Sequence, residues 1–169
     1  LGVKLLGTSV ESIHKAEDRE AFKTLMDDIG EPVIESVIAK TPEQALDFAR
    51  LSPDDLVIDL YCGAGTISSL FAGHCKEVIG IEIVPQAIDD ARDNALRNGI
   101  ENVRFIQGAA EQLMPQLSQE GYQPSVIVLD PPRKGAAPEV LEAIVQTSPQ
   151  KVVYISCNPG TQARDAKIL

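Results

Sequence analysis

Residues 56–66, LVIDLYCGAGT, decide how the rest of the chain is read. LVIDLY is an apolar run of strand length, and Gly63 and Gly65 follow it at once. A strand that ends in a glycine turn and hands over to a helix opens a βαβ unit, because parallel strands need a crossover. Working outward, the same alternation repeats. EVIGIEIV precedes PQAIDDARDNALRNG, NVRFIQ precedes AAEQLMPQLSQ, SVIVLD precedes APEVLEAIVQ, and KVVYIS closes the series. Apolar runs uninterrupted by polar residues are what strands covered on both faces look like. The expectation is an α/β fold with a doubly wound parallel sheet. Pro85 at the start of one helical stretch and Gly99 after its end agree with it.

The first 50 residues read differently. EDREAFKTLMDDIG has helical spacing, PVIESVIA has the look of a short strand, and TPEQALDFAR opens at Thr41 like a capped helix. LSPDD then marks a break, so the expected organisation is a small αβ appendage over 1–50 and a core over 51–169.

A chain of 169 residues with a formal net charge of -10 has room for one full core. That acidity argues against autonomous nucleic-acid binding, since phosphate contacts need clustered Lys and Arg. No run approaches the roughly 18 consecutive apolar residues of a membrane span. LGVKLLGTSVESIHKAEDRE has neither the basic start nor the cleavage pattern of a secretion signal, and a cytoplasmic location is the expectation.

Three places carry chemistry. Gly63 and Gly65 let the backbone approach a ligand, and Glu82 ends the next strand, where its carboxylate could grip a ribose diol. Nicotinamide dinucleotide binders and S-adenosylmethionine binders share such a loop. Ser68 at the third-glycine position, and the chemistry of the later strand ends, favour S-adenosylmethionine. VLDPPRKG follows, in which two prolines fix where Asp130 points while Arg133 and Lys134 are either phosphate contacts or solvated loop cations. Last is YISCNP, which puts Cys157 at a strand end, where ligands bind in open α/β sheets. Cys62 and Cys75 read as packing residues. His14 and His74 have no visible partner and are given no role.

DLYCGAGT, IGIEIV, LDPPRKG and YISCNP, in this order and at these strand ends, resemble the RNA uracil-5-methyltransferase family over roughly residues 50 to 169. The resemblance implies a Rossmann-like class I methyltransferase core that methylates C5 of uridine in RNA, ribosomal RNA ahead of transfer RNA, with S-adenosylmethionine as cofactor. It implies Cys157 as the nucleophile that adds to uracil C6, with Asn158 and Pro159 shaping its loop. Asp130 would lie between cofactor and uracil, and Tyr61, Thr66 and Glu82 would contact S-adenosylmethionine alongside Gly63 and Gly65. Set against the family, the sequence stops at ARDAKIL before the general-base glutamate, so an adduct that forms and stalls is expected. The family's RNA-binding barrel, glutamine segment and any iron–sulfur cysteines are likewise not found, which implies weak RNA affinity. Ala109 stands where a polar residue usually meets the adenine.

Residues 1 to about 49 resemble a segment of the large subunit of carbamoyl-phosphate synthase, with Arg19 at a position that reaches nucleotide phosphates. This implies a spliced chain joined near ALDFAR. Two other readings therefore stand beside the methyltransferase: a non-catalytic fusion fragment that binds the cofactor without a base, and an ATP-binding fragment. A sheet edge open beside the fifth strand would also allow a homodimer.

Overall fold

The apolar runs become strands because pairing in a helix-covered sheet buries their large side chains, each worth about 1.5–3 kcal/mol when fully buried. In the computed structural model, which describes residues 7–30, 35–37 and 39–169, five strands form one parallel sheet in the order β3-β2-β1-β4-β5. They are β1 (Leu56–Leu60), β2 (Glu77–Glu82), β3 (Val103–Gln107), β4 (Val126–Leu129) and β5 (Lys151–Tyr154). Register runs Asp59 to Gly80 on one side of β1 and Asp59 to Val128 on the other.

The helices take opposite faces by residue parity. Ile58, Leu60, Ile79, Ile81, Ile127 and Leu129 pack beneath α6 (Ala110–Gln119) and α7 (Pro138–Thr147). On the other face Val57, Val78, Val126 and Val128 meet α3 (Pro42–Ala49) and α4 (Thr66–Ala72), and Phe105 meets α5 (Pro85–Arg97). This is the doubly wound architecture that the alternation of runs predicts. An eighth helix, α8 (Pro159–Ala166), follows β5.

The chain divides into two compact units, Leu1–Ile38 and Ala39–Leu169. The larger holds the sheet and also α3. Lys151 on β5 donates to the carbonyls of Ala49 and Arg50 at 2.6 and 2.8 Å, so a cation caps the C-terminal end of that helix. In the smaller unit, α1 (Val10–Glu17) and α2 (Arg19–Ile29) are capped by Ser9 and Asp18. The strand expected over PVIESVIA is not present at residues 35–37 and 39, which carry no regular structure, and its other positions 32–34 and 38 lie outside the described residues. Arg19 opens α2, and its side chain also lies outside what is described. Among the described residues no helix is long and apolar enough to cross a membrane.

Candidate functional site

Parallel strands put all their carboxyl ends on one edge of the sheet, and each end here carries a chemically distinct group. Glu82 closes β2, the glycine loop follows β1, Asp130 follows β4 and Cys157 follows β5. Neighbouring strands lie about 4.8 Å apart. Asp130 is thus flanked by the glycine loop on one side and the cysteine loop on the other.

The glycine loop turns by three residues with left-handed backbone: Tyr61 at φ 63°, Gly63 at φ 53° and Gly65 at φ 75°. Gly63 is forced by that angle alone, since a Cβ would meet nothing within 4 Å, and the open space leaves its backbone approachable by a ligand. Gly65 is forced twice, because a Cβ there would stand 2.6 Å from the Phe105 ring. Tyr61 is a bulky residue in a conformation that costs of order 1–3 kcal/mol, the kind of strain that clusters at functional turns. Its ring is half-buried against the α6 and α7 face, and that burial pushes its phenol up.

Glu82 reaches across to this loop. Its Oε2 accepts from the Gly63 amide at 3.2 Å and its Oε1 from the Val84 amide at 3.0 Å, which fixes the plane of the carboxylate. Asn94 of α5 donates to the Ala64 carbonyl at 3.2 Å and steadies the loop from behind. Thr66 is exposed at the first position of α4. Ala109 is the N-cap residue of α6 and makes no side-chain cap bond.

Beneath the loop lies a pair that motif reading did not find. Asp59 is fully buried, its Oδ2 accepts from the Ser68 hydroxyl at 2.6 Å, and its Oδ1 has no partner. Burial is the largest influence and pushes its carboxyl up to about 7, against the Ser68 hydrogen bond and with help from the Asp130 charge. Ser68 therefore stands at the third-glycine position for a reason: its hydroxyl is the buried acid's donor. The one signal of this in the sequence is Asp59 itself, a charged residue interrupting the apolar run LVIDLY.

Asp130 is exposed, and partial burial of its carboxyl raises its pKa. Cys157 is exposed as well. Its neighbours hold it in a tight turn. The Asn158 amide donates to Ser156 Oγ at 2.9 Å, and Asn158 Oδ1 caps α8 by accepting from Gly160 at 3.0 Å. Asn158 Nδ2 also donates to the Arg133 carbonyl at 3.3 Å, joining this turn to the loop that bears Asp130. By contrast, Cys62 and Cys75 are buried, and burial pushes their thiols up to about 12 and about 11.

A family model described as tRNA (Uracil-5-)-methyltransferase matches residues 8–169. An uncharacterized RNA methyltransferase of Oceanobacillus iheyensis is 51% identical over 127 residues, 75% of this chain and 28% of that protein. One from Listeria innocua is 52% identical over the same length and shares. The chain thus spans little more than a quarter of these relatives, at 28% of their length. Among solved structures, the Pyrococcus abyssi tRNA (uracil-54, C5)-methyltransferase in complex with S-adenosyl-L-homocysteine is 27% identical with a TM-score of 0.62, covering 80% of this chain and 34% of that one. A precorrin 8w decarboxylase of Methanobacterium thermoautotrophicum, 20% identical at a TM-score of 0.65 over 81% and 73% of the two chains, shares the fold. The family match also runs through most of the stretch that resembles carbamoyl-phosphate synthase, and that second resemblance is not shown by these comparisons. On its sequence match from residue 8 to residue 169, this chain belongs to the tRNA (uracil-5-)-methyltransferase family.

Proposed function

We propose that the chain, with residues 51–169 as its core, binds S-adenosylmethionine and supplies the nucleophile for methylation of C5 of a uridine in RNA. The observation that carries this reading is the row of strand ends: a glycine loop clamped by Glu82, then Asp130, then an exposed Cys157. The cofactor's requirements fit what the residues offer. The open space over Gly63 would admit a ligand against bare backbone, the fixed carboxylate of Glu82 suits a vicinal diol, and Tyr61, Gly65 and Thr66 border the same loop. When bound, S-adenosylmethionine supplies an electrophilic methyl group.

Uracil C5 is a poor nucleophile until something adds to C6. The Cys157 thiolate forms a bond to C6 and the electron pair of the C5–C6 double bond moves onto C5 as an enolate. Glu82 and the loop at residues 61–66 would hold S-adenosylmethionine so that it could supply its methyl group to C5, with the neutral thioether as leaving group. A general base takes the C5 proton, the double bond re-forms and the Cys157 sulfur departs from C6. Asp130, between the two loops, orients the polar edge of the ring.

Isothermal titration with S-adenosylmethionine and S-adenosylhomocysteine tests the first half. Saturable binding is expected, and Glu82→Ala should weaken it by tenfold or more, roughly the effect of leaving a hydrogen-bonded diol unpaired. RNA carrying 5-fluorouridine tests the second half, since the fluorine cannot leave as a cation and the adduct persists. A denaturation-stable adduct that Cys157→Ser abolishes is expected. Binding that ignores Glu82 would sink the cofactor site, and an adduct that survives Cys157→Ser would sink the nucleophile. Binding without any adduct would favour a non-catalytic cofactor-binding module. Ribosomal and transfer RNA fragments both enter the assay, because nothing in the site favours one. Sedimentation at rising concentration would show whether the edge of β5 pairs with a second copy.

A further inference from the structure

One buried carboxylate ties the loop that bears Asp130 to β5 and α8, the two elements that flank the Cys157 loop. Asp165, on α8, is fully buried. Its Oδ2 accepts from the Ala136 amide at 2.8 Å and from the Tyr154 hydroxyl at 2.6 Å. Its Oδ1 accepts from Arg164 Nε and Nη2 at 2.8 and 2.6 Å. Arg164 Nη2 reaches on to the Lys134 carbonyl at 3.0 Å. The donors come from three places: the end of β5, the loop after β4 and α8 itself.

Gly135 completes the arrangement. Its backbone is left-handed at φ 88°, and a Cβ there would collide first with Arg164 Nη2 and stand 2.5 Å from Asp165 Oδ2. The glycine of RKG is thus the place where the carboxylate comes down onto the loop. Together with the bond from Asn158 to Arg133, the contacts tie the Asp130 loop to the Cys157 loop and its flanking elements.

We propose that Asp165 is a positioning residue that locks the Cys157 loop to the Asp130 loop. It touches no reacting atom, and a buried carboxylate that accepts four hydrogen bonds, two of them from the half-exposed Arg164, favours one arrangement of the groups around it. The lock itself is a statement about the fold. Its catalytic meaning rests on the function proposed above.

The test labels Cys157 with a trifluoromethyl ketone reagent and records the fluorine spectrum of the native chain, the two buried cysteines staying unlabelled. One sharp line is expected. Asp165→Asn sets an amide donor against donors, and Gly135→Ala pushes the carboxylate off the loop; each should split or broaden the line. Tyr154→Phe removes one hydrogen bond without touching the backbone and should give a smaller version of the same change. Affinity for S-adenosylhomocysteine should change far less than the fluorine line, since Asp165 makes no hydrogen bond to the glycine loop or to Glu82.

In 5-fluorouridine trapping, the rate of adduct formation at saturating RNA should fall roughly tenfold to a hundredfold in Asp165→Asn, with half-saturation unchanged, as expected for a nucleophile displaced by about an ångström. An unaltered fluorine line in all three variants overturns the lock. Loss of S-adenosylhomocysteine binding in step with the spectral change overturns it too, because the residue would then be holding up the whole fold. Failure of the unmodified chain to trap RNA would count against the proposed function alone, and the fluorine spectra would still decide the lock.

Discussion

The buried acid beneath the glycine loop makes stability depend on pH in a direction opposite to that of an ion-paired carboxylate. Asp59 is raised in the folded chain from 3.8 to about 7. Folding therefore favours its protonated form. The stabilisation is fully present below the unfolded value and is lost as pH rises through the folded one. Three pH units at about 1.4 kcal/mol each put the loss on the order of 4 kcal/mol. Asp59→Asn keeps an acceptor for Ser68 and cannot ionise, so its melting temperature should stay level between pH 5 and pH 8 while that of the unaltered chain falls. Parallel curves would show that Asp59 does not titrate in that window.

Gly65 supports a second prediction at the same scale. Gly65→Ala adds a methyl group against the Phe105 ring at a left-handed position and should cost about 2–4 kcal/mol, from overpacking and backbone strain together. Adding Phe105→Leu frees the space but not the backbone, so urea titration of the double variant should recover part of the loss. Full additivity of the two changes would mean that ring and methyl do not meet.

At the scale of elements, helix ends carry correctable strain. Ser148, at the C-terminal cap of α7, has φ 51°, an angle that glycine adopts without cost. Ser148→Gly should raise stability by about 0.5–1 kcal/mol in urea unfolding. Lys151→Met removes a charged donor from two carbonyls at the end of α3 and should cost about 1–3 kcal/mol, with α3 amides exchanging faster than those of α7.

The elements that the sequence reveals are those stabilised by apolar burial. The runs that become β1, β2 and β4 are visible because both faces are buried, those of the edge strands β3 and β5 because Phe105 and Val153 still anchor them in the core, and α5 because Ile88, Ala91 and Ala95 repeat at helical spacing. α8 is invisible to that reasoning. Its one buried residue is Asp165, it is held by polar bonds, and only Asn158 before Pro159 announced a capped start. α1 escaped in the same way, its signals being Ser9 as cap and the Glu11 and Lys15 pair. The site divides likewise. The loop glycines, Glu82, Asp130 and Cys157 stand at strand ends that local patterns locate. Asp165 with Gly135, and Asn158 with Arg133, meet across 25–30 residues of chain, and no local pattern encodes such pairs.

Over the whole molecule, the centre of the sheet is the most protected part. β1 and β4 are paired on both sides, and Leu60 and Leu129 are fully buried. Leu60→Ala should cost about 2–5 kcal/mol, and amides of β1 should exchange only through global unfolding. β3 and β5, each paired on one side, should exchange first.

The sheet order has a further consequence during synthesis. β1, β2 and β3 leave the ribosome in succession and can pair at once, yet the other side of β1 belongs to β4, with Val57 waiting for Val126. Every nascent chain therefore passes through an interval in which its central strand offers a row of bare amides and carbonyls to any neighbour. How quickly the ribosome crosses the stretch from α6 to β4 sets how long that exposure lasts, so slow translation there would divert chains into aggregates without altering a single contact of the finished fold.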